Sequence, residues 1–369
     1  MHNINFKVFK ILSYISVITI LLNSYILAQE QKYYYYNPDN DFGSDLYFNP
    51  ATLIMNGSFD ILRNGGHTKN VFDQEYKKGF ENVWRNISDP FTHIEKFGWN
   101  NFLTKEVFPV TANYDDAHYF PNYVTHMIGH GLLYVKTAEW YDYHEYPNPY
   151  LMSFLTGTFY QFINEAVENG RFTGSNVDPI ADLMIFNPLG YLLFSSEFIK
   201  EFFSTTLPIY DWSLQPVYNP FNNNIENAGQ QYFLHIKNPW SKKYSGFFYW
   251  GICGIWGLTC HSESGNNYSF GVGQIVNKLQ EKRLNKARFL TPDVDGVLSF
   301  FYDRNHSLLL SVLVTGPRLY NCRINVYPGF VKKGWFQPGL YVGFGEWDKF
   351  LFGITVASFP VGLVAGTNK

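Results

Sequence analysis

The chain has 369 residues, of which 16% are charged and 20% aromatic, with 35 Phe, 28 Tyr and 9 Trp. That mix excludes disorder, a collagen-like repeat and a long charged coiled coil, and the length is ample for a sizeable core. With 28 Lys+Arg against 31 Asp+Glu the net charge is −3, which offers no electrostatic footprint for nucleic acid.

Residues 1–28 have the three parts of a secretory signal: Lys7 and Lys10 without an acid, an uncharged run from Ile11 to Leu22, and Ala28 before the expected cut. The run is short of the roughly 18 residues that a bilayer span needs, which favours a cleaved signal over an anchor. Residues 29–88 read as an N-terminal extension, extended and mobile through Tyr33 to Pro38, with a short helix within Asn49 to Asn64. A helical unit follows over 89–210. Asp89-Pro90 starts a helix reaching about Leu103, a second runs from Pro121 to Trp140, and a third opens at Asn148-Pro149 and ends at Gly170. The fourth opens at Asp178-Pro179, with Asp178 assigned to capping because Pro179 follows it, is kinked by Pro188 and stops before Pro208.

The stretch 211–230, with Asn219-Pro220-Phe221-Asn222-Asn223-Asn224, reads as a linker. From 231 to 369 the period turns to two. Leu298, Phe300 and Tyr302 form one alternating set, and Cys322, Ile324 and Val326 another. Leu340, Val342 and Phe344 follow, then Phe352, Ile354 and Val356. The expected class is therefore α+β, a helical unit followed by an antiparallel β-barrel of about eight strands, with a soluble periplasmic barrel or sandwich as the alternative. Gly273 to Arg288, rich in Lys and Arg, reads as a strand or a basic helix. Alternation, aromatic strand ends and export together point to an outer-membrane location with lipid as partner. Cys253, Cys260 and Cys322 are odd in number and form no Cys-x-x-Cys, so they are expected as small hydrophobes rather than zinc ligands.

The chemistry-bearing residues lie on apolar helices. Asn122, His126, His130 and Tyr134 recur every four residues and so share a face. Gln161, Glu165 and Glu168 lie on the next helix, and Asp182 and Glu197 on the last. His126, His130, Glu165 and Asp182 are the candidate site. Two histidines four apart, facing carboxylates, suit a divalent metal or a general acid/base pair, and suit equally a buried hydrogen-bond network that fixes helix packing. Neither a zincin motif nor a phosphate-binding glycine loop is present. Ser175 lacks both a local histidine and a Gly-x-Ser-x-Gly setting.

Asn122-x-x-x-His126, Gly131, Tyr134, Glu165, Asp182-Leu183-x-x-x-Asn187-Pro188-x-Gly190 and Glu197 resemble an uncharacterised family of exported Gram-negative proteins. Its members pair such a helical unit with an outer-membrane β-domain, and the resemblance spans about Phe97 to Glu197. Met127 stands where the family commonly has proline, and Asn187 where it has threonine. A fainter similarity to VanZ-like membrane proteins runs through Glu165, Arg171, Asp182, Asn187 and Gly190. Neither family supplies a reaction or a cofactor. The expectation is a cell-envelope protein whose barrel anchors a helical module in a structural or binding role. The alternative is an envelope hydrolase acting on lipid or another envelope substrate at the His/Glu/Asp cluster.

Overall fold

The computed structural model describes residues 33–63, 68–109, 123–170, 174–284, 287–316, 320–332, 336–345 and 349–367. The expected signal over 1–28 lies outside the described residues, as do Pro121, Asn122 and Arg171. Helices precede residue 207 and strands dominate after it, so the class is α+β. Among the described residues no helix is long and apolar enough to cross a membrane.

The segment read as a mobile N-terminus is pinned. The backbone N–H groups of Tyr34, Tyr35 and Tyr36 donate to the Glu139 carboxylate at 2.7, 2.9 and 2.8 Å. Helices α1 (Gly43–Tyr47) and α2 (Pro50–Phe59) follow, and Asn49 caps α2 by accepting from the Thr52 N–H at 2.9 Å. Both serve the sheet side of the molecule. Ser44 Oγ accepts from Leu308 N–H, Tyr47 enters the core with Phe247 and Phe301, and Asn56 donates to the Leu214 carbonyl.

The helical layer comprises α3 (Tyr76–Ser88), α4 (Pro90–Phe97), α5 (Trp99–Asn101), α6 (His130–Tyr143), α7 (Pro149–Asn169), α8 (Asp178–Ala181), α9 (Asn187–Phe194) and α10 (Glu197–Glu201). Pro90 begins α4 as expected, but Gly98 at φ +97 breaks the run before Leu103. The last predicted helix is interrupted twice. A π-helical turn over Asp182–Phe186 precedes Pro188, and the chain breaks again between α9 and α10.

The strands are β1 (Ser175–Asn176), β2 (Ile209–Asp211), β3 (Val217–Asn219), β4 (Asn224–Glu226), β5 (Tyr232–Ile236), β6 (Tyr244–Trp250) and β7 (Cys253–His261). They continue with β8 (Asn266–Leu284), β9 (Ala287–Arg304), β10 (Ser307–Thr315), β11 (Cys322–Val326), β12 (Pro338–Phe344), β13 (Phe350–Val356) and β14 (Gly362–Thr367). From β5 to β14 each strand pairs antiparallel with the next. The hydrogen-bonded path begins at β2 and ends β14-β3-β4, with β1 attached to β9 off the path. The path is open, so the closed barrel of about eight strands is corrected to a larger open sheet.

The expected linker over 211–230 is also corrected, because it contributes β3 and β4 and the ends of two ladders. Trp212 N–H donates to Gln231 O and Leu214 N–H to Gly229 O, joining the β2–β5 and β3–β4 ladders in one register. Both ends of the path thus fall on a single hairpin. Composition hid these strands because their polar side chains are buried: Gln215, Asn219, Glu226, Asn227 and Gln231 all face inward. Residues 273–284 and 287–288 are strand rather than basic helix, paired through the β8–β9 ladder.

Alternation sorts the sheet into two faces of unexpected polarity. Successive pairings align Leu258, Phe270, Phe300, Val312, Ile324, Val342 and Phe352 in one row across seven strands. A parallel row carries Trp256, Val272, Leu298 and Val314, exposed by 57, 61, 60 and 42%. A third carries Tyr268, Tyr302, Leu310, Val326 and Leu340. The opposite face buries Ser245, Thr259, Ser269, Ser299, Ser311, Arg323, Asn325 and Thr355 beside aromatic and aliphatic neighbours. All three cysteines are free, Cys253 buried and the other two half-buried.

One buried cation joins the parts. Lys136 on α6 is 1% exposed and lies 3.1 Å from Asp211 Oδ2 on β2 and 3.4 Å from Asp45 Oδ1 on α1. Burial works to lower its pKa, but the two carboxylates outweigh burial and raise it. Removing the ammonium would leave Asp211 buried without its counter-charge. Lys136→Met is expected to destabilise the fold by about 3–5 kcal/mol in a denaturant titration. Pairing it with Asp211→Asn should recover much of that loss, and a single-mutant change within a few tenths would refute the role.

Candidate functional site

The four residues singled out in the sequence converge at the seam between helices and sheet. His126 lies in a π-helical turn, Tyr123–Gly129, that runs into α6 and His130, and the two rings stand 4.6 Å apart in an edge arrangement. Their neighbour is the chain around Asn187. It comes close because Gly190 and Gly131 face the opposing chain: a Cβ on Gly190 would stand 2.6 Å from the Met127 carbonyl oxygen, and one on Gly131 2.4 Å from the Phe194 ring.

His126 Nε2 is 3.2 Å from Asp182 Oδ2, and Asn187 Oδ1 lies 3.2 Å from His126 Nδ1 and 3.1 Å from His130 Nδ1. Gln161 Nε2 donates to His130 Nδ1 at 2.6 Å, which makes His130 the Nε2–H tautomer, donating to Gln230 Oε1 at 3.0 Å. Gln161 is held in turn by the Tyr191 hydroxyl at 3.3 Å. Glu165 donor oxygens lie with those of Asp178 and Asp182 within 4.8 Å of one another. Asn169 Nδ2 donates to Glu165 Oε2 at 3.4 Å as well as to the Glu165 backbone carbonyl at 2.7 Å, and Asn176 Nδ2 donates to Asn169 Oδ1 at 2.6 Å, so amides tie this carboxylate to its surroundings.

Burial decides the protonation states. It pushes His126 well below the usual histidine range, with the nearby His130 adding to the shift. It pulls His130 down to about 4. It raises Asp182 well above the carboxylate range, reinforced by Asp178 and Glu165. With Nδ1–H of His126 donating to Asn187, Nε2 and Asp182 Oδ2 are two acceptors that need one proton between them. A raised Asp182 pKa supplies it. Asp60 and Tyr160 complete a cavity of about 120 Å³ that reaches His126, His130, Glu165 and Gln230. Burial also raises Asp60 to about 6, against the Asn164 amide that lowers it.

The oxygen donors of Glu165, Asp178 and Asp182 suit a hard divalent ion such as magnesium, calcium or manganese, with His126 orienting Asp182 from behind. Asp182 Oδ1, on a side chain only 4% exposed, has no hydrogen-bond partner among the described residues. Three of the four π-helical turns among the described residues carry a member of this region: His126, Asp182 and the buried Glu106. Such turns are rare and cluster at functional sites.

The sequence reading missed Asn187, Gln161 and Gln230 as histidine partners, and assigned Asp178 to capping. Val177 occupies the cap position of α8, and Asp178 is the first residue of the helix. Gln230 had no signal at all, being 100 residues from His130. Tyr134 packs on Tyr191 at 4.8 Å and Glu197 lies at the surface beside Lys200, so neither joins the site. The chain matches no protein-family model, no curated protein and no solved structure.

The His130 shift makes stability pH-dependent. A histidine kept neutral in the fold, with a folded pKa near 4 against about 6.5 unfolded, costs nothing at neutral pH. It destabilises as pH falls through 6.5, because the unfolded chain binds the proton first. The loss should reach about 3 kcal/mol by pH 4. His130→Gln should flatten that part of the profile in denaturant titrations from pH 7 to 4. An unchanged slope would mean the ring is protonated in the fold.

Proposed function

We propose that this is a cell-envelope protein whose sheet sits in the outer membrane and whose helical unit presents a buried His/carboxylate site in a binding role. The observation that carries the reading is the belt of apolar side chains on the outward face. Three rows two residues apart, at about 3.4 Å per residue, cover roughly 20 Å with their flanks, close to the ~25 Å apolar band of membrane β-sheets. A water-soluble sheet with one solvated face would put polar residues there. The parallel pairing of β14 with β3 supports the finer reading that the sheet curls round, its last strand returning to the first hairpin. The resemblance over residues 97–197 to exported Gram-negative proteins fits this placement.

Heat-modifiable gel mobility and recovery in the outer-membrane fraction are the expected results, and release in soluble form by osmotic shock would sink the proposal. A sharper check uses Leu298, 60% exposed in the middle of the belt. Leu298→Arg should cost about 2–4 kcal/mol in lipid vesicles if that face meets hydrocarbon. A water-facing position would register only a few tenths.

A second reading concerns the carboxylates, favoured by Asp182 Oδ1, which has no hydrogen-bond partner among the described residues. We infer that Glu165, Asp178 and Asp182 take up a divalent cation. Titration calorimetry of the folded protein with magnesium, calcium and manganese should give one site, weakened at least tenfold by Asp182→Asn. Retention of affinity in that variant, or no binding at all, would reduce the cluster to a packing network.

A further inference from the structure

A second polar cluster lies outside the helical site, at the rim of the sheet's inner face. The ladders place it there. Asn267 pairs with both His261 and Asp303, and Ser245 pairs with Thr259, two residues from His261, so all share the inward face. His235 on β5 arrives beside them through its pairing with Phe247.

Ser245 Oγ is 2.7 Å from His261 Nε2. His261 Nδ1 is 2.7 Å from Asn267 Oδ1, and Asn267 Nδ2 donates to Asp303 Oδ1 at 2.7 Å. Asp303 also accepts the backbone N–H of His306 at 3.0 Å. This chain has a direction. Asp303 is an acceptor, so the Asn267 amide must turn its NH₂ toward it and its oxygen toward His261. That oxygen accepts from Nδ1–H, which leaves the Nε2 lone pair of neutral His261 facing the Ser245 hydroxyl. His235 Nε2 is 2.7 Å from Ser245 Oγ and 3.2 Å from His261 Nε2, and in its Nε2–H tautomer it donates to the serine oxygen and leaves the hydroxyl hydrogen for His261.

The serine is also accessible to a ligand. Ser245, though 4% exposed, lines an open cavity of about 500 Å³, within the range of small-molecule sites, whose mouth carries Lys237, Lys242 and Tyr244. Nucleophile, base and orienter at hydrogen-bond distance beneath an open pocket are the arrangement of nucleophilic acyl transfer.

We propose that Ser245, His261 and Asn267 form a serine ester-hydrolase site for carboxylic esters that carry an anionic group, which the two lysines would attract. Ser245 Oγ bonds to the ester carbonyl carbon as its proton passes to His261 Nε2. The carbon–oxygen bond to the alcohol breaks, and the leaving alkoxide takes that proton. Water then attacks the acyl-serine and gives a proton to His261, which returns it to Ser245 Oγ as the acid departs. Asn267 is a positioning residue, acting through His261.

The test uses the full chain folded in detergent micelles, with circular dichroism to check each variant. A fluorophosphonate probe should label Ser245 in the unaltered protein, as read by peptide mass. Turnover should appear with a soluble anionic butyrate ester, with phosphatidylglycerol vesicles, or with both, and the pattern names the source of the ester. Ser245→Ala should abolish labelling and turnover, and His261→Ala should slow labelling by about 10²–10⁴-fold. Asn267→Ala should lower kcat with little change in KM, and Asn267→Asp combined with Asp303→Asn, which keeps an acceptor toward Nδ1 and a donor between the two side chains, should restore most of it. Folded protein that takes no label and turns over neither ester would overturn the proposal, as would turnover that survives Ser245→Ala. Because micelle-folded protein suffices, failure here leaves the membrane placement standing, and a soluble chain could still pass.

Discussion

An ammonium group 1% exposed to solvent persists only where carboxylates meet it, and Lys136 is met by two from different parts of the chain. Asp45 comes from the N-terminal segment and Asp211 from β2, while Lys136 itself lies midway along α6. The Phe48 ring, 4.3 Å from the ammonium, closes the remaining side. Three residues further on, Glu139 takes the N–H groups of Tyr34 to Tyr36, so α6 holds the N-terminus twice. His130 begins the same helix. The orientation of the site is thus set by an ion cluster that can form only when helix, N-terminal segment and sheet are docked together.

The sheet imposes the second constraint. Its buried face holds serines, asparagines and Arg323, and its open face holds Leu, Val, Ile and Phe. An antiparallel sheet with one solvated face usually shows the reverse order, and each inward polar group must find a partner or cost about 1–3 kcal/mol. Many do: Thr259 bonds Ser269, Asn227 donates to Asn325, and Thr355 meets Gln215. Thr259 and Ser269 face each other on adjacent strands, whereas the other two pairs join residues 98 and 140 apart in the chain, so inward polarity here also specifies which segments meet.

Much of this was legible in the sequence where periodicity was clean. Alternation through Leu298 to Tyr302, Cys322 to Val326, Leu340 to Phe344 and Phe352 to Val356 marks real strands, β9 and β11 to β13. The boundaries of α7 follow from Asn148-Pro149 and Gly170 within a residue. What failed has physical causes. Gln215 to Gln231 looks like a loop because strands that face a polar interior lack apolar alternation. The convergence of His126, His130, Glu165 and Asp182 was readable from spacing of four and from polar groups on apolar faces. Their amide partners were not, since Gln230 and Asn187 carry no helical phase relation to the histidines. Local spacing is equally blind to serine–histidine contacts. Ser175, set aside for want of a nearby histidine, hydrogen-bonds His93 at 2.9 Å across 82 residues, and Ser245 reaches His261 across the β6–β7 hairpin.

The two polar clusters differ in the property that decides what each can do. The helical site encloses about 120 Å³, room for a few waters or a hydrated ion at roughly 30 Å³ per water. Its histidines are kept neutral by burial, and its amides already occupy His130 on both nitrogens. A substrate larger than an ion would have to displace Gln161 or Gln230, leaving a buried histidine nitrogen without a partner. The rim site is about four times larger and opens to solvent, and its hydrogen-bonded Ser245, His261 and His235 line that opening rather than being sealed by amides. Size and connectivity therefore divide the molecule: the closed cluster suits an ion that locks helices to sheet, and the open one suits an incoming organic substrate.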